Sequence, residues 1–358
     1  MKQQLQLRYQ QIVHWIKSHR VQSIAIAGAL VVVFFGALTY WFYESNKPVV
    51  VQPDKIDAKP RPKDFYSPLT GVKVKDEAAT KQLVTAIMIE NSPDARPHSG
   101  LKEAGVVYEA VAEARITRYL ALYQESKPGL IGPVRSLRPY FIDWAAPFDA
   151  AIVHVGGSAK ALREVRNGQY RDIDQFFNAD TFWRASDRYA PHNVYTNFKR
   201  LDALTKSKKY TRSEFTAWER ADGKAAATPD ATRVQISYGS PSYNTEYRYN
   251  KEKNTYTRYL AGAPHKDREK GNITPSVVIA MMVDEQTVME DGARESIKTS
   301  GRGKAYIFQN GTVREAVWRK ADKKSQIQWL TSDGKPIELA RGQTWIAAVP
   351  NSYGNVSW

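Results

Sequence analysis

The chain has 358 residues, of which 42% are hydrophobic and 25% are charged, with a formal net charge of +15 and no cysteine. This length suits a terminal segment followed by two globular domains. The lack of cysteine excludes disulfides, thiolate nucleophiles, cysteine-ligated metal sites and a lipid attached to cysteine. The basic charge favours anionic neighbours such as lipid head groups, phosphate-rich wall polymers or nucleic acid, although most lysines and arginines are scattered as on an ordinary solvated surface.

The N-terminal segment predicts a membrane anchor. Residues 21–43 form an uncharged apolar run long enough to cross a hydrocarbon core as a helix, and Trp41 and Tyr43 lie where an interfacial aromatic belt is expected. Basic but no acidic residues precede this run, which places residues 1–20 in the cytoplasm by the positive-inside rule. We therefore expect a single-pass signal anchor in the cell membrane, with the bulk of the chain extracytoplasmic. A cleaved signal peptide is the alternative, but its apolar region is normally shorter.

The middle of the chain predicts a tether and then an α/β domain. Residues 44–64 contain four prolines and no apolar periodicity, as in an extended linker. Beyond them, strand-like and helix-like runs alternate, which predicts that residues 65–212 form an α/β domain with a mixed, partly parallel sheet. The strand-like runs are 82–90, 105–114, 117–125 and 149–157, and the helix-like runs are 138–148, 158–168 and 197–209.

Residues 213–358 have a different pattern and predict a mainly β domain. Residues 243–262 are typical of a β-hairpin, and later strand-like runs are separated by Asn-Gly and Asp-Gly turns. The Gly-Arg-Gly sequence at 301–303 allows two interpretations, a phosphate-binding loop or a plain turn between strands, and its isolation favours the turn.

Polar residues cluster where the predicted α/β strands end, and loops at the carboxyl ends of strands build the ligand crevice of open α/β sheets. The Gly-Gly-Ser sequence at 156–158 also begins a predicted helix, whose free N–H groups favour an anion. The arginine-rich composition suits planar, bidentate recognition of phosphate or carboxylate, with aromatic faces for sugar. The predicted ligand-binding residues are Glu90, Asn91, Arg96, His98, Glu109, Glu113, Arg118, Arg135, Ser136, Arg138, His154, Ser158, His192 and Asn193.

Other chemistry is less well supported by the spacing of these residues. His154 lies in an apolar run and suits a buried core position as well as a catalytic one. The histidines lack paired metal-ligand spacing, so no metal site is predicted, and no cofactor is predicted either. Ser136 or Ser158 as a nucleophile lacks the usual elbow motif. Glu109 and Glu113 are four residues apart on a strand, so they would share one face, either for acid–base work on a glycan or in a buried salt network with nearby arginines.

Several motifs resemble one known family. These are "SPLTG" (67–71), "IGPVRSLRPYF" (131–141), "APHNVY" (190–195), "GRGKAYIFQNG" (301–311) and "GQTWIAAVP" (342–350), which occur in this order in the YerB-like family of bacterial proteins. The resemblance covers about residues 65 to 358 and implies a two-domain envelope protein. Many members are lipoproteins, whereas this chain has no cysteine, so its anchor resembles a transmembrane helix instead. The family has no known function, so the resemblance implies no reaction.

Three functions are therefore carried forward. The first is an anchored envelope protein that binds an anionic or saccharide cell-wall polymer, or its fragment, through the Arg/His-rich cleft. The second is a hydrolase or transferase acting on envelope glycans or phosphodiesters, and the third is a module that docks another envelope protein. Nucleic acid is disfavoured as a partner because no recognition motif is present and the predicted location opposes it.

Overall fold

A computed structural model describes residues 2–46, 64–290 and 292–358. The chain divides into two compact units, Met1–Pro62 and Lys63–Trp358. Most of the predicted tether, residues 47–63, lies outside the described residues. The α-helices are α1 (Lys2–Ser18), α2 (Arg20–Ser45), α3 (Glu77–Thr80), α4 (Pro139–Ala145), α5 (Ala159–Val165) and α6 (Phe198–Ser207).

The described part of the first unit consists of helices α1 and α2. Helix α2 covers the predicted anchor and is long and apolar enough to cross a membrane, alone among the described helices. Its 26 residues span about 39 Å at 1.5 Å per residue, which exceeds the thickness of a hydrocarbon core. Its large apolar side chains are exposed, as expected for a helix that is not part of a protein core.

The second unit is built mostly from β-strands. In the first half they are β1 (Phe65–Tyr66), β2 (Lys73–Val74), β3 (Thr85–Glu90), β4 (Val106–Glu113), β5 (Ile116–Tyr123), β6 (Ala151–His154), β7 (Arg171–Asp174), β8 (Trp183–Arg184) and β9 (Val194–Tyr195). In the second half they are β10 (Arg220–Ala221), β11 (Arg233–Ser237), β12 (Thr245–Asn250), β13 (Thr255–Leu260), β14 (Ala263–Pro264), β15 (Lys266–Asp267), β16 (Gly271–Asn272), β17 (Val277–Val283), β18 (Glu285–Met289), β19 (Ala293–Ile297), β20 (Gly301–Gln309), β21 (Thr312–Lys320), β22 (Gln328–Leu330), β23 (Leu339–Ala340), β24 (Thr344–Pro350) and β25 (Asn355–Ser357).

One mixed sheet of ten strands organises this unit, in the order β22-β21-β20-β17-β24-β4-β5-β3-β6-β7. Strand β24 lies at its centre and runs parallel to both neighbours, β17 and β4. Strands β3, β6 and β7 also run parallel to one another. The sheet therefore contains strands from both sides of the predicted domain boundary at residue 212. That the two sides fold independently of each other stays a prediction.

Apolar side chains cover both faces of the sheet near its centre, so strands β3, β6 and β24 are buried along their whole length. Alternate residues point to opposite faces: Met88 packs with helix α4 on one side, and Ile87 packs with helix α6 on the other. A five-stranded antiparallel sheet, β14-β13-β12-β11-β25, covers the second face. This layer contains the predicted hairpin of residues 243–262, as β12 and β13.

The predicted fold class is confirmed: an apolar helix near the N-terminus, a mixed sheet with helices, and a mainly β C-terminal region. The helix boundaries also follow the sequence signals. Ser158 and Asn197 cap α5 and α6, where each side chain accepts a backbone N–H three residues further on. Both interpretations of 301–303, the favoured plain turn and the phosphate-binding loop, are wrong, because these residues begin strand β20 and pair with β21.

Candidate functional site

Glu109 lies in a buried ion pair between the two sheets. Its side chain is 0% exposed, and its Oε2 accepts hydrogen bonds from Arg258 at 2.7 Å and from the indole of Trp345 at 3.0 Å. Its Oε1 accepts one from Thr117 at 3.0 Å. Three donors thus hold the carboxylate, and Arg258 comes from the covering sheet. Glu109 therefore lies in a buried salt network, which was one of its two predicted roles. Its partner is Arg258, which is more than a hundred residues away along the chain, and not one of the nearby arginines.

Two buried histidines extend this network. Arg258, which can only donate, contacts Nδ1 of His265, so that nitrogen must accept. Nε2 of His265 then carries the proton and donates to Nδ1 of His98 at 2.9 Å. Burial, reinforced by Arg96 and Arg258, lowers the pKa of His98 to about 3. Burial and the same cations hold the pKa of His265 well below its usual value. Both rings are therefore neutral in the folded protein at neutral pH.

Glu113 belongs to a second ion cluster. Its two oxygens pair with Arg118 at 2.8 Å and with Arg138, whose side chains are 3% and 5% exposed. Burial by itself would raise the pKa of Glu113, but the two guanidinium groups lower it to about 2. A register shift after Val111 interrupts strand alternation before Glu113. The predicted pairing of Glu109 and Glu113 on one face is therefore wrong, since the two carboxylates have separate partners.

Glu90 connects Arg135 with His192. Its Oε1 lies 3.2 Å from Nε of Arg135, and its Oε2 lies 3.0 Å from Nδ1 of His192. The same histidine nitrogen lies 3.1 Å from the hydroxyl of Ser92. Because one nitrogen contacts both groups, these three residues do not form a nucleophile relay, in which the base uses opposite ring nitrogens. Ser92 instead hydrogen-bonds the ring of His192, the carboxylate of Glu90 lies beside it, and the histidine side chain is 22% exposed.

His154 and Ser158 have structural surroundings. His154 is 0% exposed, with Nδ1 at 2.8 Å from the carbonyl of Gly156 and Nε2 at 2.7 Å from Asp172. Ser158 caps helix α5, and Glu290 accepts the N–H of Lys160 in the same first turn. The helix start predicted to receive an external anion is thus occupied by the chain's own serine and glutamate.

The structure does not bring all of the predicted residues into one cavity: Arg96 and His192 line one cavity, and Arg138 and Ser158 line another. The backbone of Leu137 pairs with that of Gly157, so the two predicted loops do lie side by side. Their charged side chains, however, belong to separate ion pairs. Arg135 joins Glu90, whereas Arg138 joins Glu113 and His154 joins Asp172. Arg135 and Arg138 are close in sequence, yet each pairs with a carboxylate on a different strand, and His154 pairs with a third.

An open cavity of about 780 Å³ lies on the outer side of His192, and three arginines line it: Arg96, Arg188 and Arg268. Arg188 donates to the backbone carbonyls of Asp94 at 3.1 Å and Pro97 at 2.6 Å. Arg96 is held by Asn91, through the side-chain oxygen at 3.2 Å and the carbonyl at 3.0 Å. Within the described part of the chain, no carboxylate lies within 4.0 Å of either guanidinium group, so neutral oxygens orient both cations and leave their charge unpaired.

The rest of the cavity wall is mixed in charge. Arg268 pairs with Asp187 at 2.6 Å, and this hydrogen bond lowers the pKa of the Asp187 carboxyl. Asp94 supplies a second carboxylate, while Tyr189 lies at the wall with 92% of its surface exposed. Asn193 holds the loop together by donating to the carbonyls of Ala185 and Arg188, each at 3.2 Å. Ser136, another predicted residue, does not line the cavity, and its backbone carbonyl accepts a hydrogen bond from Arg118 at 2.9 Å.

Sequence reasoning thus found Arg96 and His192 but missed Arg188 and Arg268 as cavity residues. Arg188 lies in the polar loop of residues 182–195, where its spacing carries no signal that separates it from neighbouring charges. Arg258 had a detectable signal: it occupies an inward position of β13 between buried Tyr256 and Leu260. In the described residues, no group of three His, Asp or Glu side chains is placed to hold a metal ion.

Comparisons with known proteins place the second unit among proteins of unknown function. The model for the N-terminal domain of a protein of unknown function (DUF3048) matches residues 69–211, and the model for the C-terminal domain matches residues 234–346. A protein of Bacillus subtilis (strain 168) named "Putative lipoprotein YerB" is 32% identical over 295 residues, which are 81% of this chain and 87% of the relative. The crystal structure of YerB from Bacillus subtilis matches with a TM-score of 0.74 at 31% identity, covering 82% of this chain and 100% of the other.

These names state neither a ligand nor a reaction. They bear on location, because the relative is named a lipoprotein and the present chain carries an apolar helix near its N-terminus. Together the two observations indicate a membrane-associated, extracytoplasmic protein.

Proposed function

Because the chain belongs to the DUF3048 family of proteins of unknown function, we propose its role from the cavity itself: it binds an anionic group of a cell-envelope ligand between Arg96, Arg188 and His192. The single observation that carries this proposal is the unpaired charge of Arg96 and Arg188. A guanidinium group held by carbonyl oxygens keeps its full attraction for an anion, whereas one paired with a carboxylate does not. Such fixed, forked donors suit phosphate or carboxylate groups.

His192 supports the same proposal. Its Nδ1 faces Glu90, which leaves Nε2 on the cavity side as a further hydrogen-bonding atom for a ligand. A cavity of about 780 Å³ is within the range of small-molecule sites and is large enough for a phosphorylated sugar or polyol. The two carboxylates on the wall reduce the overall positive charge, so binding depends on the placement of the arginines more than on bulk attraction.

The binding prediction concerns Arg188. In titration calorimetry of the full chain in nonionic detergent at low ionic strength, glycerol 1-phosphate should bind to the wild type. Arg188→Ala should weaken this binding about tenfold or more, since a hydrogen bond to a charged group contributes about 1.5–3 kcal/mol. Arg188→Lys should weaken it too, because the charge is kept but the fork is lost.

The matched control is Arg302→Ala, which removes an exposed arginine from strand β20, outside the cavity lining. It should leave the affinity unchanged, and thermal melts should show that each variant is folded. A wild type that gives no binding heat with glycerol 1-phosphate or inorganic phosphate, or an affinity equally reduced by Arg302→Ala, contradicts the proposal.

The proposed location is more detailed than the comparisons establish. We propose that α2 spans the cell membrane once, with α1 in the cytoplasm and the second unit outside. The support is the charge asymmetry, because Lys2, Arg8, Lys17 and Arg20 precede the apolar run without an acidic residue.

Protease treatment of intact cells tests this topology. An added protease should digest the second unit in wall-stripped cells, while a cytoplasmic marker in the same sample stays intact. The control is a detergent-lysed sample, in which both are cleaved. Protection of the second unit to the same degree as the cytoplasmic marker would reverse the proposed orientation.

A further inference from the structure

A second cavity adjoins the first. It has a volume of about 360 Å³ and shares two lining residues, Asp187 and Arg268, with the larger one. We call the two together the double groove. The ion pair between the shared residues, at 2.6 Å, forms the divide. Its side chains are 39% and 50% exposed, so it is a solvent-accessible pair of the kind that contributes little to stability.

The second cavity repeats the chemistry of the first. Arg184 lines it and is oriented by a neutral oxygen, the side-chain amide of Asn193 at 2.8 Å. No carboxylate among the described residues lies within 4.0 Å of this guanidinium group. Each cavity also has an aromatic wall, which is Tyr189 in the first and Trp183 in the second. The double groove therefore presents unpaired guanidinium groups on both sides of the divide, each beside an aromatic ring.

We propose that the ligand of the double groove is a polyanionic chain, a polyol- or sugar-phosphate polymer whose successive anionic groups occupy the two cavities. This inference rests on the proposed function. A single anion would use only one of the cavities, whereas a polymer with recurring phosphodiesters gains a further charge-assisted contact at Arg184. Arg268 lines both cavities, but its pairing with Asp187 leaves Arg188 and Arg184 as the cations available to the two anionic groups.

A nucleic acid is also a polyanion, but the groove suits it less well. Proteins that bind single strands stack successive bases on several exposed aromatic faces. Here Tyr189 is exposed, but Trp183 is half-buried and has Arg200 over its ring at 4.9 Å. The aromatic contacts therefore suit the edges of small polyol or sugar units better than stacked bases.

Chain length is the variable that tests the inference. The full chain in nonionic detergent is titrated with glycerol 1-phosphate and then with glycerol-phosphate oligomers of increasing length. A second charge-assisted contact should raise affinity about tenfold or more from monomer to short oligomer. Arg184→Ala should abolish this gain, while Arg188→Ala should weaken binding of both monomer and oligomer. Arg184→Gln keeps a hydrogen-bond donor for Asn193 but carries no charge. It should behave as Arg184→Ala does, which would show that the lost charge, and not a rearranged loop, removes the gain.

The outcomes separate the two proposals. If neither monomer nor oligomer binds, the proposed function fails. If the monomer binds but length adds nothing, or if Arg184→Ala does not reduce the gain, only the polymer inference is overturned. A uronic-acid oligosaccharide that shows the same length dependence supports the polyanion and identifies carboxylate as an accepted charge. An oligonucleotide of equal charge that binds more tightly than the glycerol-phosphate oligomer overturns the assigned class.

Discussion

Replacing Glu109 with alanine should lower the free energy of unfolding of the Lys63–Trp358 unit by about 3–5 kcal/mol, because it leaves a buried arginine without its counter-charge. The side chains of Glu109 and Arg258 are both 0% exposed, so water does not reach either group. Burial would lower the pKa of Arg258, but Glu109 raises it well above its ordinary value, so the guanidinium group stays charged when the carboxylate is present. Urea unfolding of this unit, followed by tryptophan fluorescence, measures the loss.

A double substitution and a surface control complete this test. Glu109→Leu combined with Arg258→Met removes both charges and should cost less than the sum of the two single changes. Glu315→Ala breaks the exposed pair with Lys304, which is 3.4 Å apart, and should cost less than about 1 kcal/mol. A Glu109→Ala variant as stable as Glu315→Ala would show that Arg258 finds water or another partner, and would contradict a buried pair.

Acid should destabilise the folded unit well before most carboxylates titrate. The pKa of His98 is lowered to about 3, and that of His265 lies well below 6.5. Below pH 6.5 these two histidines therefore take up protons in the unfolded chain but stay neutral in the folded chain. The stability contributed by these neutral rings is complete above pH 6.5 and falls as the pH drops. A histidine excluded from protonation accounts for about 1.4 kcal/mol per pH unit, so His98 should cost about 2–3 kcal/mol between pH 6.5 and 4.5, and His265 should add to this loss.

Urea unfolding across this pH range checks the prediction. The double variant His98→Asn, His265→Asn keeps a hydrogen-bond acceptor near each Nδ1 position but cannot titrate. Its unfolding free energy should vary much less with pH than that of the wild type, even if its stability at neutral pH is lower. An equally steep fall in the double variant would assign the acid sensitivity to other groups.

Much of the fold could be predicted from the sequence, because its signals are local. The alternation of strands, the uncharged run of residues 21–43 and the caps at Ser158 and Asn197 each depend on neighbouring residues. The joining of both halves in one sheet was not predicted. That arrangement depends on strand β24 pairing with β4 across more than two hundred residues, and no pattern within either strand names its partner.

The candidate site was harder to predict for the same reason. Its residues come from three loops, near Arg96, Arg188 and Arg268, that are brought together only by the fold. Which arginine is neutralised and which remains unpaired depends on the nearest oxygen in space. Arg135 looked similar to Arg188 in sequence, yet Arg135 meets the carboxylate of Glu90 and Arg188 meets only carbonyls.

The central position of β24 also determines when the main sheet can be completed during folding. Residues 344–350 lie more than two hundred residues after β4 in the chain, yet they fill the gap between β17 and β4. Until they arrive, both of those strands have an unpaired edge, and Glu109 lacks its hydrogen bond from Trp345. The main sheet therefore closes only when β24 has been inserted, and a chain without this strand would expose two open strand edges at the centre of the sheet.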